Sequence, residues 1–296
     1  MKLAYHLEIA RPEFARHVSF LKDCGVEDVP IFFMLNPEDY QPALGEDMDF
    51  GGMLALLDSR IGEVRGQGLE SSALMLFPGR ALTTRMTSDP EMEARFRSLC
   101  EWCGEQGVRS FGVWPQVQGR EDATPEWLDT FVAGAQLMAG LAAPHGVSIG
   151  VHINMLAGCR LDRVEDVEDL FARVDRPNWG LNFCFGCLAL AGLDLAEMAR
   201  RWAQHIVLVD LRDVRGTWTE GAEEAQFGTG RIDLPAALRA LREIGYTGGL
   251  RPEHFPPLGL DRPSAERELF NLPADRDPAN IAWTLGYCCG LLRALD

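Results

Sequence analysis

Eight short apolar runs recur along the chain, and longer stretches with the apolar spacing of one helix face lie between them. The runs predict β-strands at residues 2–8, 28–35, 69–77, 108–114, 147–154, 179–186, 205–214 and 249–255. Helical spacing is clearest in the stretches 14–25, 50–68, 128–146 and 234–246. Glycine ends several of these helical stretches, as at Gly25, Gly107 and Gly146. Because glycine commonly follows a helix C-terminus, these positions support the predicted boundaries.

The alternation of strands and helices predicts the fold class. Strands that alternate with helices build a parallel sheet from βαβ units. Eight units within residues 2–255 predict an α/β fold of the (β/α)8 TIM barrel type rather than an open Rossmann sheet. No GxGxxG motif follows the first strand, which removes the main support for a dinucleotide-binding fold. We expect residues 1–296 to form one barrel domain, in which 256–296 supply a C-terminal lid loop and an extra helix.

The charge of the chain restricts its partners. With 28 Lys and Arg against 44 Asp and Glu, the formal net charge is −16. Nucleic acids and anionic membranes are bound mainly through basic residues, so we expect neither as a partner. An anionic small molecule would need a metal ion or a few buried arginines to supply local positive charge.

The N-terminal residues and the cysteines indicate the compartment. Residues 1–14 lack the basic and apolar regions of a secretory signal, and no apolar run reaches the roughly 18 residues that span a bilayer. Eight cysteines in a chain of 296 residues do not resemble a disulfide framework, so we expect thiols and a cytoplasmic protein. The apolar C-terminal helix is compatible with a homo-oligomer interface and equally with packing on the outside of the barrel.

Polar residues at the ends of the last four predicted strands are the candidate chemistry. His152, Cys184, Asp210 and Glu253 each lie near the C-terminal end of one of these strands. Barrel active sites are built at that end, so the four side chains are expected to converge. An imidazole, a thiolate and two carboxylates suit a first-row divalent ion such as Mn²⁺, Fe²⁺, Co²⁺ or Zn²⁺, and the thiolate disfavours Mg²⁺.

Each of these residues also has a structural interpretation. A single histidine in an apolar strand, here His152, is often a hydrogen-bonded core residue, and a buried cysteine such as Cys184 often acts as a small hydrophobic group. The two carboxylates could instead pair with Arg212 and Arg251. What favours the metal interpretation is that all four candidates stand at equivalent positions on consecutive strands.

These residues, with the motifs around them, resemble the mannonate dehydratases of the xylose isomerase-like barrel superfamily. The motifs are GLNFCFG at 180–186, VDLRDVRG at 209–216, RIDLPAALRALREIGY at 231–246, LRPEH at 250–254 and TLGYCCGLLRAL at 284–295. The family's strand-five histidine is matched by His152, its strand-six cysteine by Cys184, and its strand-eight aspartate by Glu253. The resemblance implies a divalent metal, typically Mn²⁺, and the removal of water from D-mannonate to give 2-keto-3-deoxygluconate.

Other features depart from the dehydratase pattern. Asp210 stands where the family usually has a histidine, and residues 226–229 (QFGT) replace a Phe-His-Glu element. The Gly-x-Gly-x-Ile-Asp form at 228–233 is more similar to sugar isomerases and epimerases such as hydroxypyruvate isomerase. A metal-dependent sugar isomerase or epimerase is therefore the alternative to a sugar-acid dehydratase, and a non-catalytic sugar-binding barrel is the third hypothesis.

Either reaction needs an acid–base pair beside the metal. His254 and His6 are the candidates, although each could equally be a hydrogen-bonded loop residue. Arg212 shares a strand face with Asp210 and is suited either to bind a substrate carboxylate or to act as a counter-ion of Asp210 and Asp213. The further candidates for substrate binding are Asn154, Arg251 and Trp114, whose ring could stack on a sugar or cap the core.

Two Cys-x-x-Cys pairs, at 100–103 and 184–187, are the remaining motif. The first pair lies in a helical pattern and the second in a strand and turn, far apart in the chain. We therefore do not expect a compact four-cysteine zinc site.

Overall fold

The first predicted strand joins both edges of the sheet. In this computed structural model it is divided into β1 (Lys2–Leu3), which pairs in parallel with the last strand, and β2 (Leu7–Glu8), which pairs with the second. Between them, the Ala4 amide donates to the Leu250 carbonyl at 2.9 Å, and Ala4 also forms a parallel bridge with Asp28. The sheet therefore closes on itself, and the predicted TIM barrel is confirmed.

The structure describes residues 1–39, 41–44, 47–76, 82–114, 119–254, 256 and 277–295. The remaining strands are β3 (Ile31–Phe33), β4 (Ala73–Leu76), β5 (Ser110–Val113), β6 (Ser148–Val151), β7 (Trp179–Cys184), β8 (Ile206–Leu211), β9 (Asp213–Arg215), β10 (Glu223–Ala225) and β11 (Gly249–Pro252). The helices are α1 (Phe14–Asp23), α2 (Gln41–Leu44), α3 (Phe50–Gly66), α4 (Leu82–Arg85), α5 (Pro90–Gln106), α6 (Pro125–Ala142), α7 (Val164–Val174), α8 (Phe185–Leu190), α9 (Leu195–Arg201), α10 (Leu234–Glu243) and α11 (Pro278–Ala294). Short 3-10 turns lie at Pro37–Asp39, Ala143–His145 and Ala203–His205.

The barrel strands follow one another in the order β1-β11-β8-β7-β6-β5-β4-β3-β2, with every neighbouring pair parallel. Read from β2 to β11 this order is the chain order, and β1 lies beside β11. Each strand therefore lies beside the next, and its C-terminal end opens on the same side of the barrel. The last four predicted strands thus become neighbours around one half of the ring.

Local sequence signals set the helix ends. At the start of α5 the Asp89 side chain accepts the Met92 amide at 3.0 Å, and Pro90 occupies the first turn, where its missing N–H costs nothing. The same helix ends at Gly107, whose φ of 68° lies in the left-handed region that glycine adopts without strain. These signals return the chain to the barrel at the positions where the next strand must begin.

The apolar core holds the helices against the outside of the barrel. Phe96 of α5 and Phe111 of β5 are both fully buried, and their rings meet edge to face with centroids 5.4 Å apart. Burial of such aromatic pairs is worth more than their area alone, by roughly 0.5–1.5 kcal/mol. Among the helices in the described ranges, none combines the length and apolar character that crossing a bilayer requires.

Two predicted strands end differently in the structure. The run at 179–186 stops at Cys184, because Phe185 begins helix α8. The run at 205–214 is split at Arg212, and Asp213–Arg215 then pairs with β10 in an antiparallel hairpin that the sequence pattern did not predict. Both breaks turn the chain away from the sheet beside the candidate ligands.

The C-terminal helix α11 contacts β1 and β11 on the outside of the barrel. Its Asn280 side chain donates to the Pro256 carbonyl at 3.1 Å, which fixes the helix to the end of the last strand segment. The lid predicted within 256–296 lies, for residues 257–276, outside the described residues.

Candidate metal centre

The four side chains predicted as metal ligands converge at the C-terminal end of the barrel. His152 follows β6, Cys184 ends β7, Asp210 lies in β8 and Glu253 follows β11, and all four are buried. The His152 Nε2 atom is 3.7 Å from Asp210 Oδ2 and 3.7 Å from Glu253 Oε2. Donor atoms of these three residues lie within 4.8 Å of one another, which is close enough to share one cation.

A second group of donor atoms shares the same histidine. His152, Cys184 and Cys187 also have donor atoms within 4.8 Å of one another. Cys187 lies in the first turn of α8, three residues beyond Cys184, and is fully buried. The sequence does not predict a four-cysteine zinc site. Of the two Cys-x-x-Cys pairs, Cys184 and Cys187 lie at the candidate centre.

Several polar atoms in the cluster lack a partner, and this tests whether a metal fits. Both ring nitrogens of His152, Glu253 Oε2 and Asn182 Oδ1 are buried without a hydrogen bond to the residues that the structure describes. Buried polar atoms without partners are costly, so they mark a place where a further group is expected. The donor types and their convergence fit a divalent cation.

Asp210 is held by two neighbours. Its Oδ1 atom forms an ion pair with Arg251 Nη2 at 2.5 Å, and Asn182 Nδ2 donates to its Oδ2 at 2.7 Å. Burial raises the pKa of Asp210 to about 7, against the opposing effect of Arg251 and with the help of Glu253. A salt bridge with Arg251 was the alternative to metal binding for this carboxylate. The structure contains the Asp210–Arg251 salt bridge.

The charges around His152 favour a bound cation. Burial alone would lower the pKa of His152, but Cys184 and Glu253 raise it to about 10. For Glu253, burial would raise the pKa, yet His254 and Arg251 hold it well below its usual range. The buried anionic groups thus favour a positive charge at the centre, whether a proton on the imidazole or a metal ion among the donors.

Arg212 lies behind the two sulfurs. Its guanidinium is fully buried, pairs with Glu224, and places Nη1 3.7 Å from the Cys184 sulfur and 3.4 Å from the Cys187 sulfur. This position fits a counter-ion better than a carboxylate-binding group at the open end of the site. The counter-ion partners predicted for Arg212 were Asp210 and Asp213. In the structure Arg212 pairs with Glu224, Asp210 pairs with Arg251, and Asp213 accepts backbone amides, including Gly228 at 2.9 Å.

The two predicted acid–base histidines flank Arg251 and Glu253. His6 Nδ1 lies 3.1 Å from Arg251 Nη1, and burial together with Arg251 lowers the pKa of His6 well below its usual value. His254 Nε2 is 3.5 Å from Glu253 Oε1, and the side chain is 25% exposed. Its backbone φ of 47° is unusual for a residue other than glycine and sets its direction after the strand.

The other predicted substrate-binding residues also line the centre. Trp114 stacks on the His152 ring with centroids 5.5 Å apart, and the Arg251 guanidinium carbon is 5.8 Å from the Trp114 ring centre. Asn154 Oδ1 accepts a weak hydrogen bond from the Cys187 thiol at 3.7 Å. Trp114 therefore contacts a candidate ligand, and Asn154 lies on the sulfur side of the cluster.

Sequence reasoning did not select Glu224, Asn182 or Cys187 as parts of the site. Glu224 is fully buried in β10, but its EEAQ surroundings carry no apolar periodicity that would predict a strand. Asn182 could have been found, because it lies two residues before Cys184 in β7 and therefore on the same face of the strand. Cys187 was visible only as part of a Cys-x-x-Cys motif.

A family model described as a xylose isomerase-like TIM barrel matches residues 18–270. The chain belongs to this family. The match agrees with the closed parallel barrel and with the position of the polar cluster at the C-terminal ends of the strands.

Within this family the sequence is similar to proteins of different activities. It is 26% identical over 171 residues to an inosose isomerase of Bacillus velezensis, covering 56% of this chain and 61% of that protein. It is 32% identical over 95 residues to a mannonate dehydratase of Oceanobacillus iheyensis, covering 30% of this chain and 27% of that protein. The chain thus spans less than two thirds of the length of these curated relatives.

A solved structure shares the fold over the whole chain. The structure of the IOLI protein with a binding zinc atom superposes on this chain with a TM-score of 0.67 and 18% identity. The superposition covers 100% of this chain and 99% of that one. This likeness shows the fold. The two relatives found by sequence are an isomerase and a dehydratase, so the matches include more than one reaction.

Proposed function

We propose that this protein is a metal-dependent lyase that removes water from a sugar acid similar to D-mannonate and yields a 2-keto-3-deoxy acid. The observation that carries the proposal is the position of Arg251 inside the donor cluster, 2.5 Å from Asp210 and 3.1 Å from His6. A buried guanidinium beside a metal centre favours an anionic substrate, because it offers several N–H donors to a carboxylate. The formal net charge of −16 gives an anionic molecule no overall attraction to the chain.

Four residues would hold the metal, and the neighbouring histidines would move protons. His152, Cys184, Asp210 and Glu253 supply the ligands, and a bound divalent ion supplies Lewis-acid polarisation of the substrate carboxylate. The family resemblance makes Mn²⁺ the first expectation, with Fe²⁺, Co²⁺ and Zn²⁺ compatible with the same donors.

His254 is the proposed acid for the departing hydroxyl. It stands at the open side of Glu253 and is partly exposed, so it can reach a bound molecule. His6, which faces Arg251 from the first strand, is the proposed base or positioning group. Removal of a proton beside a carboxylate and protonation of the leaving oxygen need such a pair in reach of the substrate.

A sugar isomerase or epimerase is the second candidate. The similarity to inosose isomerase covers 56% of the chain, more than the 30% covered by the dehydratase match. In addition, Asp213 organises the Gly-x-Gly turn by accepting the amides of Gly228 at 2.9 Å and Gly230 at 2.8 Å, and this turn has the isomerase-like form.

Incubation of the metal-loaded protein with D-mannonate, followed by an assay for 2-keto acid, tests the proposal. We expect His254→Gln to lower kcat by about 10²–10⁴-fold, the usual worth of a positioned acid, with metal content unchanged. His17→Gln removes an imidazole from the remote helix α1 and serves as the matched control. Absence of keto acid, with solvent deuterium entering a ketose, would instead establish the isomerase. If neither reaction occurs but a sugar acid raises the Tm, the chain is a binding protein.

A further inference from the structure

The candidate centre contains more donor residues than a single four-ligand site requires. One group joins His152 to Asp210 and Glu253, and the other joins His152 to Cys184 and Cys187. Because His152 belongs to both groups, its ring lies between the carboxylate side and the sulfur side of the centre. The identity of the fourth ligand therefore depends on which donor is more easily released from its present contacts.

Asp210 and Cys187 are the two candidates for the fourth ligand. Of these, Asp210 has the shorter contacts with neighbouring residues. Each of its oxygens has a close protein partner, Arg251 at 2.5 Å and Asn182 at 2.7 Å. To coordinate a metal, the carboxylate would have to share or give up one of these contacts. A buried ion pair is costly to separate, so Asp210 is well placed to orient Arg251.

The sulfur of Cys187 has longer and weaker contacts. Arg212 Nη1 lies 3.4 Å from this sulfur, and the side-chain Oδ1 atom of Asn154 lies 3.7 Å from it. The hydrogen bond with the Cys184 sulfur and burial raise the pKa of Cys187, and the contact with Arg212 opposes this shift. The amide of Asn154 can rotate to present its N–H₂ group once the thiol proton is gone.

We propose that Cys187 is a metal ligand together with Cys184 and His152, so that the centre binds its cation through two thiolates. The inference rests on the metal centre of the proposed function and not on the reaction that the centre performs. Metal binding would release the proton that the Cys187 thiol carries, and the guanidinium of Arg212 contacts both sulfurs, with Nη1 3.7 Å from Cys184 and 3.4 Å from Cys187. Asp210 then positions Arg251, and Glu253 completes the ligand set.

Two thiolates change which metal the protein selects. Soft sulfur donors favour Zn²⁺, Co²⁺ and Fe²⁺, whereas Mn²⁺ prefers oxygen. The proposal therefore shifts the expected metal from Mn²⁺ toward the thiophilic ions. It also assigns a role to the second half of the Cys184-Phe-Gly-Cys187 motif.

X-ray absorption of the zinc-loaded wild-type protein tests the proposal without any substitution. We expect two sulfur neighbours at about 2.3 Å, with the remaining ligands nitrogen or oxygen at about 2.0–2.2 Å. A single sulfur neighbour would overturn the proposal and leave Asp210 as the fourth ligand. Failure of the protein to bind zinc, cobalt or manganese would overturn both the proposal and the metal centre.

Cobalt spectroscopy of two variants provides the second measurement. In Cys187→Ala we expect about half of the thiolate-to-cobalt absorption to be lost and the preference for Zn²⁺ over Mn²⁺ to fall by about tenfold or more. Cys103→Ala removes an equally buried thiol from helix α5, so it controls for the loss of volume and should retain both properties. Unchanged absorption in folded Cys187→Ala would contradict the proposal.

These readouts separate the inference from the lyase activity. Two sulfurs without keto acid production would leave the inference standing and reject the proposed reaction. One sulfur with keto acid production would do the reverse.

Discussion

Arg212 is the residue on which the sulfur side of the centre depends. Its guanidinium is completely buried, forms an ion pair with Glu224 and contacts both cysteine sulfurs. Gly186 makes room for it, since a Cβ at that position would lie 2.7 Å from the Arg212 Nε atom. Glycine is needed at 186 for close approach to a side chain and not for its backbone conformation.

We expect Gly186→Ala to displace Arg212 and to destabilise the protein by about 1–3 kcal/mol through overpacking. Metal affinity should fall by about 10–100-fold, because an outer partner of the sulfurs moves. Chemical denaturation and metal titration measure the two effects. Gly62→Ala in helix α3 is the control, since a Cβ there meets nothing within 4 Å, and it should be neutral or slightly stabilising. Equal behaviour of the two variants would contradict this account.

At the scale of elements, Asp28 connects neighbouring strands at their N-terminal ends. This residue precedes β3, bridges to Ala4 beside β1, and accepts the Ser72 amide at 2.9 Å and the Ser72 hydroxyl at 2.5 Å just before β4. Asp28 therefore connects three consecutive strands, through its backbone to the first strand and through its side chain to the residue before β4, at the end opposite to the candidate centre. Burial raises the pKa of Asp28, although the two Ser72 hydrogen bonds oppose the shift.

A carboxyl whose pKa is raised on folding contributes stability below its unfolded pKa and loses it as the pH rises through the folded value. We therefore expect Asp28→Asn, which retains the shape and hydrogen-bonding capacity, to be at least as stable as wild type at pH 7. The difference should shrink as the pH falls below the ordinary value of 3.8. Free energies of unfolding across this pH range measure it. An advantage of the variant that grows toward low pH would show that the sign is wrong.

At the scale of the whole molecule, barrel closure and metal binding are coupled. The ligands that both proposals share, His152, Cys184 and Glu253, come from the ends of β6, β7 and β11, so one bound ion would connect strands around half of the ring. A ligand that binds only the folded state stabilises it in proportion to the logarithm of its concentration.

Removal of the metal by a chelator should lower the Tm, and return of the ion should restore it. At a free metal concentration 100 times Kd, the stabilisation is about 2.7 kcal/mol, which corresponds to about 5 °C in Tm for a domain of this size. Thermal unfolding followed by circular dichroism measures the shift. In His152→Ala the shift should disappear, and a shift equal to that of wild type would exclude His152 as a ligand.

The predicted elements show how far local sequence patterns reach. Strand β6 lies within the predicted run 147–154, and α10 lies within the predicted stretch 234–246, because apolar periodicity and capping residues act over a few neighbouring positions. The hairpin of β9 and β10 was missed, because Glu223–Ala225 is a polar segment without strand periodicity. Glu224 in this strand forms a buried ion pair with Arg212, a contact between separate segments that local periodicity does not report.

The sequence by itself determined the barrel and the four residues that converge at its C-terminal end. Side-chain alternation along a strand and the common direction of parallel strands are enough to bring such residues together. Only the tertiary structure decided which neighbours these residues have. Arg251 lies against Asp210, Arg212 lies against the two sulfurs, and Cys187 turns back toward His152. Such contacts depend on distances between separate segments and on the shape of the loops, which no local pattern encodes.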